Sequence, residues 1–256
     1  MIIEYLRPKN IEEAISLLKR QAPITLPLGG GDALSKYQVE PVAVVDLQAL
    51  GLNKILRENG KIEIGATATL AEIDSFLQND VFSTVLRIQA GKNQRNSSTI
   101  AGLVKVSHGR SPFLTLLLAL DAQLQWQPGE KLISLGNWLP VRHDWHEAVL
   151  MSKVILPDVE VRFDSVARTP KDRPIVAIAI ARWPSGRMRV AVGGFGPIPG
   201  LALDGTDRDD VEQAVDQAFA YSNDQWASSS YRREAGRKLA SRLVFDIRQA
   251  EGESVK

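Results

Sequence analysis

No cysteine occurs anywhere in the 256 residues. Its absence excludes disulfides, thiolate nucleophiles, Cys-ligated zinc and Cys-ligated iron–sulfur clusters from this chain. Histidine is nearly as scarce, with three in the chain, so a metal site needing three or four side-chain ligands has little to draw on. A dominant charge is missing too. Against 31 Lys plus Arg stand 30 Asp plus Glu, a formal net charge of +1, and without a net field neither nucleic acid nor an acidic membrane surface is an expected partner. Long apolar runs are also absent. The longest, Phe113 to Leu120, is broken by Thr115 and falls well short of the roughly 20 residues that span a bilayer. The opening Met1-Ile2-Ile3-Glu4-Tyr5 has no basic segment leading into an apolar one, as a secretory leader has. The expectation is a soluble, cytoplasmic protein with no membrane association.

What is present is an ordinary globular mix, 44% hydrophobic and 24% charged, enough for one large domain or two modest ones. Ile2 to Leu6 reads as a strand. Asn10 then stands at an N-cap, with Glu13 placed to complete a capping box, and Ile11, Ala14, Ile15 and Leu18 recur at helical spacing. Ile24 to Leu28 is a second apolar run, followed by Gly29-Gly30-Gly31-Asp32, a short helix expected from Ala33, and a buried strand from Val42 to Leu47. Lys61 to Ile64 alternates as a half-buried strand does, and Thr69 with Glu72 offers another capping box for a helix through Leu77. Residues 81 to 90 look helical. The polar stretch Gly91 to Ser98 cannot bury itself and is expected to be a loop. Phe113 to Ala122 suits a buried helix, and Gln123 to Gln127, Pro128-Gly129 and Lys131 to Leu135 read as a hairpin. Past Pro157 a further hairpin is expected, Ile175 to Arg182 and Met188 to Val192 around Trp183 to Arg187. Two helices, near Asp207 to Tyr221 and Trp226 to Val244, close the chain, and a second, smaller domain is expected to start near residue 160.

A glycine-rich turn between a strand and a helix exposes backbone N–H groups and lets the main chain approach a phosphate, and Gly29-Gly30-Gly31 fits that description. Taken alone such a cluster is more often a plain turn. Neither the three-glycine spacing of a dinucleotide fold nor a Gly-Lys-Ser/Thr phosphate loop is present. His143-Asp144-Trp145-His146 is too poor in ligands for a metal site and reads as a surface loop. His108 with Ser107 or Ser111 lacks an acidic orienter for a nucleophilic triad. Arg7, Arg95, Arg110, Arg168, Arg232 and Arg233 are scattered, and most are expected to be solvated or paired with carboxylates. Composition and spacing carry the reading no further than a two-part α+β protein with one phosphate-cradling loop.

The order of segments carries more. Tyr5-Leu6-Arg7-Pro8, a helix containing Glu13-Ala14, Leu28-Gly29-Gly30-Gly31-Asp32, Val45-Asp46-Leu47, Ile64-Gly65-Ala66-Thr67, Arg95 to Gly102 and Leu117 to Ala122 together resemble the FAD-binding, or medium, subunit of molybdenum hydroxylases. That is the flavoprotein family of xanthine dehydrogenase and carbon monoxide dehydrogenase. In the second half Phe163 to Arg168, Arg189 to Pro197 and Ser230-Tyr231-Arg232-Arg233 are similar to its C-terminal landmarks, so the resemblance covers nearly the whole chain. It implies an α+β fold. A PCMH-type FAD-binding domain at 1–160, of two α/β subdomains at about 1–57 and 58–160, would precede a C-terminal domain at 161–256, of an antiparallel sheet plus helices, like that of the carbon monoxide dehydrogenase flavoprotein.

The resemblance further implies that FAD is the cofactor and that two loops approach its diphosphate through backbone amides. They are Leu28, Gly29, Gly30, Gly31, Asp32, Ala33 and Leu34 in the first and Thr99, Ile100, Ala101, Gly102 and Leu103 in the second. No side chain need be a catalytic acid or base, since a flavin carries its own chemistry, and no metal site is implied. The implied role is electron transfer, from iron–sulfur clusters on one partner subunit, fed by a molybdenum-cofactor subunit, through FAD to NAD or another acceptor. Departures from the family pattern gather at the cofactor. Ala101 and Leu103 replace Gly and Asn of a Thr-Ile-Gly-Gly-Asn loop, Pro112 stands for an Asp, and Asp164 stands for a Lys. In the first loop Leu28, Gly31 and Ala33 replace Ala, Thr and Leu. Two function classes therefore stand side by side: a flavin-dependent electron-transfer subunit, and a flavin-free scaffold or assembly subunit of the same fold.

Overall fold

The computed structural model describes every residue except 33, 35–39, 146–148, 171, 207–209, 255 and 256, with the backbone alone for 251–254. The chain runs through β1 (Ile2–Leu6), α1 (Ile11–Leu18), β2 (Thr25–Leu28), β3 (Val42–Asp46), β4 (Ile55–Glu58), β5 (Lys61–Gly65) and α2 (Leu70–Leu77). It continues through α3 (Asp80–Gln89), α4 (Lys92–Ser97), α5 (Ile100–Val106), α6 (Pro112–Ala119), β6 (Gln123–Gln127), β7 (Lys131–Ser134) and α7 (Leu135–Trp138). Last come β8 (Leu150–Pro157), β9 (Glu160–Val166), β10 (Val176–Arg182), β11 (Met188–Gly193), β12 (Gly200–Gly205), α8 (Val211–Ala218) and α9 (Ser229–Ser254). The fold is α+β, with helices and mostly antiparallel sheets, as the sequence led us to expect.

Two compact units share these elements without following the chain in two consecutive blocks. The first takes residues Met1–Gln78, Ala90–Val106 and Ala122–Pro157, and the second takes Asn79–Gln89, Ser107–Asp121 and Asp158–Lys256.

In the first unit, β1, β3 and β2 form a parallel sheet in that order. All five residues of β3 are buried, as a central parallel strand covered on both faces requires, and Ala14 and Ile15 of α1 pack on it with Val45 and Leu47. The Asn10 side chain accepts the Glu13 N–H at 2.8 Å, while the Glu13 carboxylate takes the Lys9 N–H at 2.7 Å instead of that of Asn10, so the expected capping box is only half made. A five-stranded antiparallel sheet, β4-β5-β8-β6-β7, makes the rest of the unit. There α2 carries the full box, Thr69 N–H to Glu72 Oε2 at 2.8 Å and Glu72 N–H to Thr69 Oγ1 at 3.2 Å.

The stretch Gly91 to Ser98 corrects our expectation of a loop, because Lys92–Ser97 is helical. Its backbone closes on itself, Arg95 N–H to the Gly91 carbonyl at 2.9 Å and Ser98 N–H to Gln94 at 2.6 Å. Polarity determined where the side chains stay, in water, and not whether the backbone is regular.

The second unit is a four-stranded antiparallel sheet, β12-β11-β10-β9. Ile178, Ile180, Val190 and Val192 are buried with Val215 of α8, Phe219 just beyond its end, and Ala240 and Ile247 of α9. Helix α6 is buried along its entire length, the usual fate of a helix apolar on all sides. Ser111 caps it by accepting the Leu114 N–H at 3.2 Å, and Pro112 at the first helical position loses nothing there, because that N–H has no intrahelical partner. The two closing helices start at Val211 and Ser229, and residues 207–209 of the first expected segment lie outside the described residues. Arg232, one of the arginines expected to be solvated or paired with carboxylates, is paired and fully buried. Its guanidinium holds Asp224 at 2.8 and 2.9 Å and donates to the carbonyls of Ile175, Ser222, Ala227 and Gly194.

Among the described residues no helix is long and apolar enough to cross a membrane.

Candidate functional site

The glycine loop starts where β2 ends. Leu28 pairs with Asp46 across the parallel ladder, and its carbonyl accepts the Leu47 N–H at 3.0 Å. Asp46 is 2% exposed. It accepts from Tyr5 Oη–H at 2.5 Å and Gln48 N–H at 2.9 Å, with Arg7 at 3.5 Å. A buried carboxylate with these donors anchors the loop's base.

Beyond Leu28, Gly29, Gly30 and Asp32 meet the segment Ser97 to Thr99 that leads into the second loop. A side chain on Gly29 would press within 3.1 Å of Thr99 Oγ1. A Cβ on Gly30 would fall inside the Ser97 carbonyl, which is backbone and cannot step aside. Gly31 has a φ of +83°, the left-handed region that favours glycine. The Asp32 carboxylate accepts the Ser98 hydroxyl at 2.9 Å. Leu34 follows, half-buried, and Ala33 lies outside the described residues. Among the described residues nothing accepts from the N–H groups of Gly29, Gly30 or Gly31.

The second loop enters α5 and is held from behind by the segment after β5. Leu70 N–H donates to the Ser98 carbonyl at 3.0 Å, and Thr69 and Thr99 form an isolated antiparallel bridge. The amides expected to reach a phosphate are already placed. Ile100 N–H goes to the Ala68 carbonyl at 3.0 Å, Ala101 to Ala66 at 3.1 Å, Gly102 to Thr99 Oγ1 at 3.2 Å and Leu103 to the Thr99 carbonyl at 2.9 Å. Leu103 is buried, so the residue standing for the family Asn serves the core. The fit to a diphosphate is therefore uneven: among the described residues the first loop leaves three amides for a ligand, whereas the second spends those of residues 100–103 on the fold.

Sequence reasoning picked the two loops but missed Ser97, Ser98 and Ala66 as the groups that join them. Their signal lay in the blocks Ile64 to Thr67 and Arg95 to Gly102, which the fold brings to the same place as Leu28 to Asp32.

The other sequence candidates resolve separately. Pro112 heads α6. Asp164 is ion-paired with Arg242, so it is not an unbalanced acid. Ser111 is fully buried and its hydroxyl donates to Gln89 Oε1 at 2.7 Å, not to His108. His143 and Asp144 are exposed, His143 accepts from Arg142 Nε at 3.3 Å, and His146 lies outside the described residues. No group of three or more potential metal ligands forms among the described residues.

Residues 1–159 match the family model described as the FAD binding domain in molybdopterin dehydrogenase. The Escherichia coli (strain K12) protein YgfM is 28% identical over 265 residues, spanning the whole of both chains. Among solved structures the fold is similar to quinoline 2-oxidoreductase from Pseudomonas putida 86, with a TM-score of 0.78, 20% identity, and coverage of 96% of this chain and 97% of that one. A reconstituted CO dehydrogenase from Oligotropha carboxidovorans gives a TM-score of 0.75 at 21% identity, over 93% and 95%.

Proposed function

This chain belongs to the family of FAD binding domains in molybdopterin dehydrogenase, and on that premise we propose that it is the FAD-binding electron-transfer subunit of a molybdenum hydroxylase, an oxidoreductase flavoprotein subunit. The observation that carries the proposal is the Gly29–Gly31 turn, whose three amides are unengaged among the described residues and whose back rests on Ser97 and Thr99. Three N–H dipoles on a chain without side-chain bulk suit a diphosphate oxygen. The proposed cofactor contacts are Leu28 to Leu34 in the first loop. Thr99, Ile100, Ala101, Gly102 and Leu103 complete the site in the second, where Thr99 and its neighbours set the position of the glycines. When bound, FAD would supply the redox chemistry, accepting electrons and passing them to NAD or another acceptor. The chain's residues orient it and need move no proton.

The same proposal divides the chain into an FAD-binding part at 1–160, with subdomains at about 1–57 and 58–160, and a C-terminal part at 161–256. It also assigns two partners, an iron–sulfur subunit and a molybdenum-cofactor subunit, since a chain with no cysteine holds no cluster of its own. A cytoplasmic hetero-oligomer follows from that assignment.

A second reading rests on one observation, the four committed amides of 100–103: a scaffold that keeps the fold and the partner surface without flavin. Reconstitution with FAD separates the two. The first reading predicts flavin absorbance that survives gel filtration and FAD release on denaturation. A colourless protein that still assembles with its partner subunits contradicts it.

A further inference from the structure

In the first unit, the end of α5 sets one lysine against a carbonyl and an aromatic ring. Lys105 stands in the last turn of the helix and is exposed. Its Nζ donates to the Arg142 carbonyl at 3.1 Å and lies 5.6 Å from the ring centre of Trp138. Trp138 is fully buried and packs on Trp126 at 5.4 Å, which in turn stands 5.9 Å from Trp145. Among the described residues no carboxylate pairs with Lys105, whereas Lys153 is held by Glu63 and Lys238 by Glu234, each at 2.7 Å.

The charge beside Lys105 has its own sign. Arg142 is buried, and its Nε donates to His143 Nε2 at 3.3 Å. Burial pushes the Lys105 pKa down, and the Arg142 charge pushes it further. Lost water and a like charge both disfavour the ammonium form. The Trp138 ring, close to the roughly 6 Å limit of a cation–π contact, offsets only part of this.

A lysine attacks through its free base, and partial desolvation beside another cation supplies that base near neutral pH. The surroundings also suit an acylated side chain. Such a lysine keeps one N–H for the Arg142 carbonyl and loses the charge that burial and Arg142 oppose.

We propose that Lys105 is an acylation site, modified by an activated acyl donor, an acyl phosphate or an acyl thioester. The Nζ lone pair attacks the acyl carbonyl carbon and a C–N bond forms. The bond from that carbon to the phosphate oxygen or the thioester sulfur breaks, and phosphate or thiolate leaves with the electron pair. The nitrogen gives up one proton to water. No oxidant or reductant takes part, and the site does not depend on whether the chain binds FAD.

The test follows acetyl groups lysine by lysine. The whole chain is incubated near neutral pH with acetyl phosphate, with acetyl-coenzyme A in a parallel arm, and peptide mass spectrometry measures the rate at each lysine. Lys238 is the reference, because its side chain is 74% exposed and access does not slow it. Lys105 is expected to react at least about threefold faster than Lys238, through its larger share of free base. In about 6 M guanidinium chloride the two rates should converge to within about twofold, since unfolding disperses the neighbours of Lys105. Lys105→Arg should remove the fast site and leave the rate at Lys238 unchanged. A faster reaction with acetyl phosphate identifies the acyl phosphate as the donor, and a faster reaction with acetyl-coenzyme A identifies the thioester; either supports the site. A native Lys105 rate no higher than that of Lys238 with both donors, or an advantage that survives unfolding, overturns the proposal.

Discussion

The loop at Gly29–Gly31 and the loop at Thr99–Leu103 have the same resemblance behind them and opposite states in the structure. The first keeps three amides clear of the described residues, whereas the second passes those of residues 100–103 to Ala68, Ala66 or Thr99. A glycine-rich or helix-entry sequence shows where amides can be exposed. Which amides stay exposed depends on what the rest of the fold asks of them, since a buried N–H without an acceptor is costly. Here the second loop acts as the wall against which the first is shaped.

Breaking the wall should have the largest effect. Gly30→Ala places a methyl into the Ser97 carbonyl, so the loops must separate. We expect stability to fall by about 2 kcal/mol or more, as overpacking against backbone does, and FAD affinity to fall at least about a hundredfold, or about 2.7 kcal/mol. Thermal unfolding and flavin titration read the two effects. Thr99→Val comes next. It keeps the contact with Gly29 but strands the Gly102 N–H, at a cost of about 1–2 kcal/mol, and should weaken FAD severalfold through the altered wall. Ser98→Ala removes the tie to Asp32 at 2.9 Å, worth about 1 kcal/mol, and should affect FAD binding by less than Thr99→Val in the same titration.

The smallest effect is expected from the change that most closely restores the family pattern. Ala101→Gly supplies the missing glycine, yet its amide already donates to the Ala66 carbonyl at 3.1 Å. We expect FAD affinity within about threefold of the parent, equivalent to about 0.65 kcal/mol, and a loss of about 0.5–1 kcal/mol in stability from glycine in a helix. A large gain in affinity would make the second loop the phosphate loop.

Much of this was legible in the sequence because the signals were local. Periodicity located β1, α2 and the β10–β11 hairpin, and a side chain three residues from its cap is visible as text, as Thr69 with Glu72 shows. The uniformly apolar segment at 113–120 announced a buried helix. What was not legible has a common cause. That Gly91–Ser98 is helical, and that Ser97 and Ala66 support the site, depend on partners distant in the chain or on backbone bonds that side-chain character does not encode. Asp32 and Ser98 are joined at a separation of 66 residues, and neither marks the other in the sequence. The segments 79–89 and 107–121 pack within the second compact unit.

Amide hydrogen exchange, resolved by residue and compared with and without FAD, tests the contrast between the loops most directly. The account predicts that Gly29, Gly30 and Gly31 exchange quickly in the free protein and become protected when FAD is added, while Ile100, Ala101, Gly102 and Leu103 are protected in both states. Protection gained at 100–103, with none gained at 29–31, would contradict it.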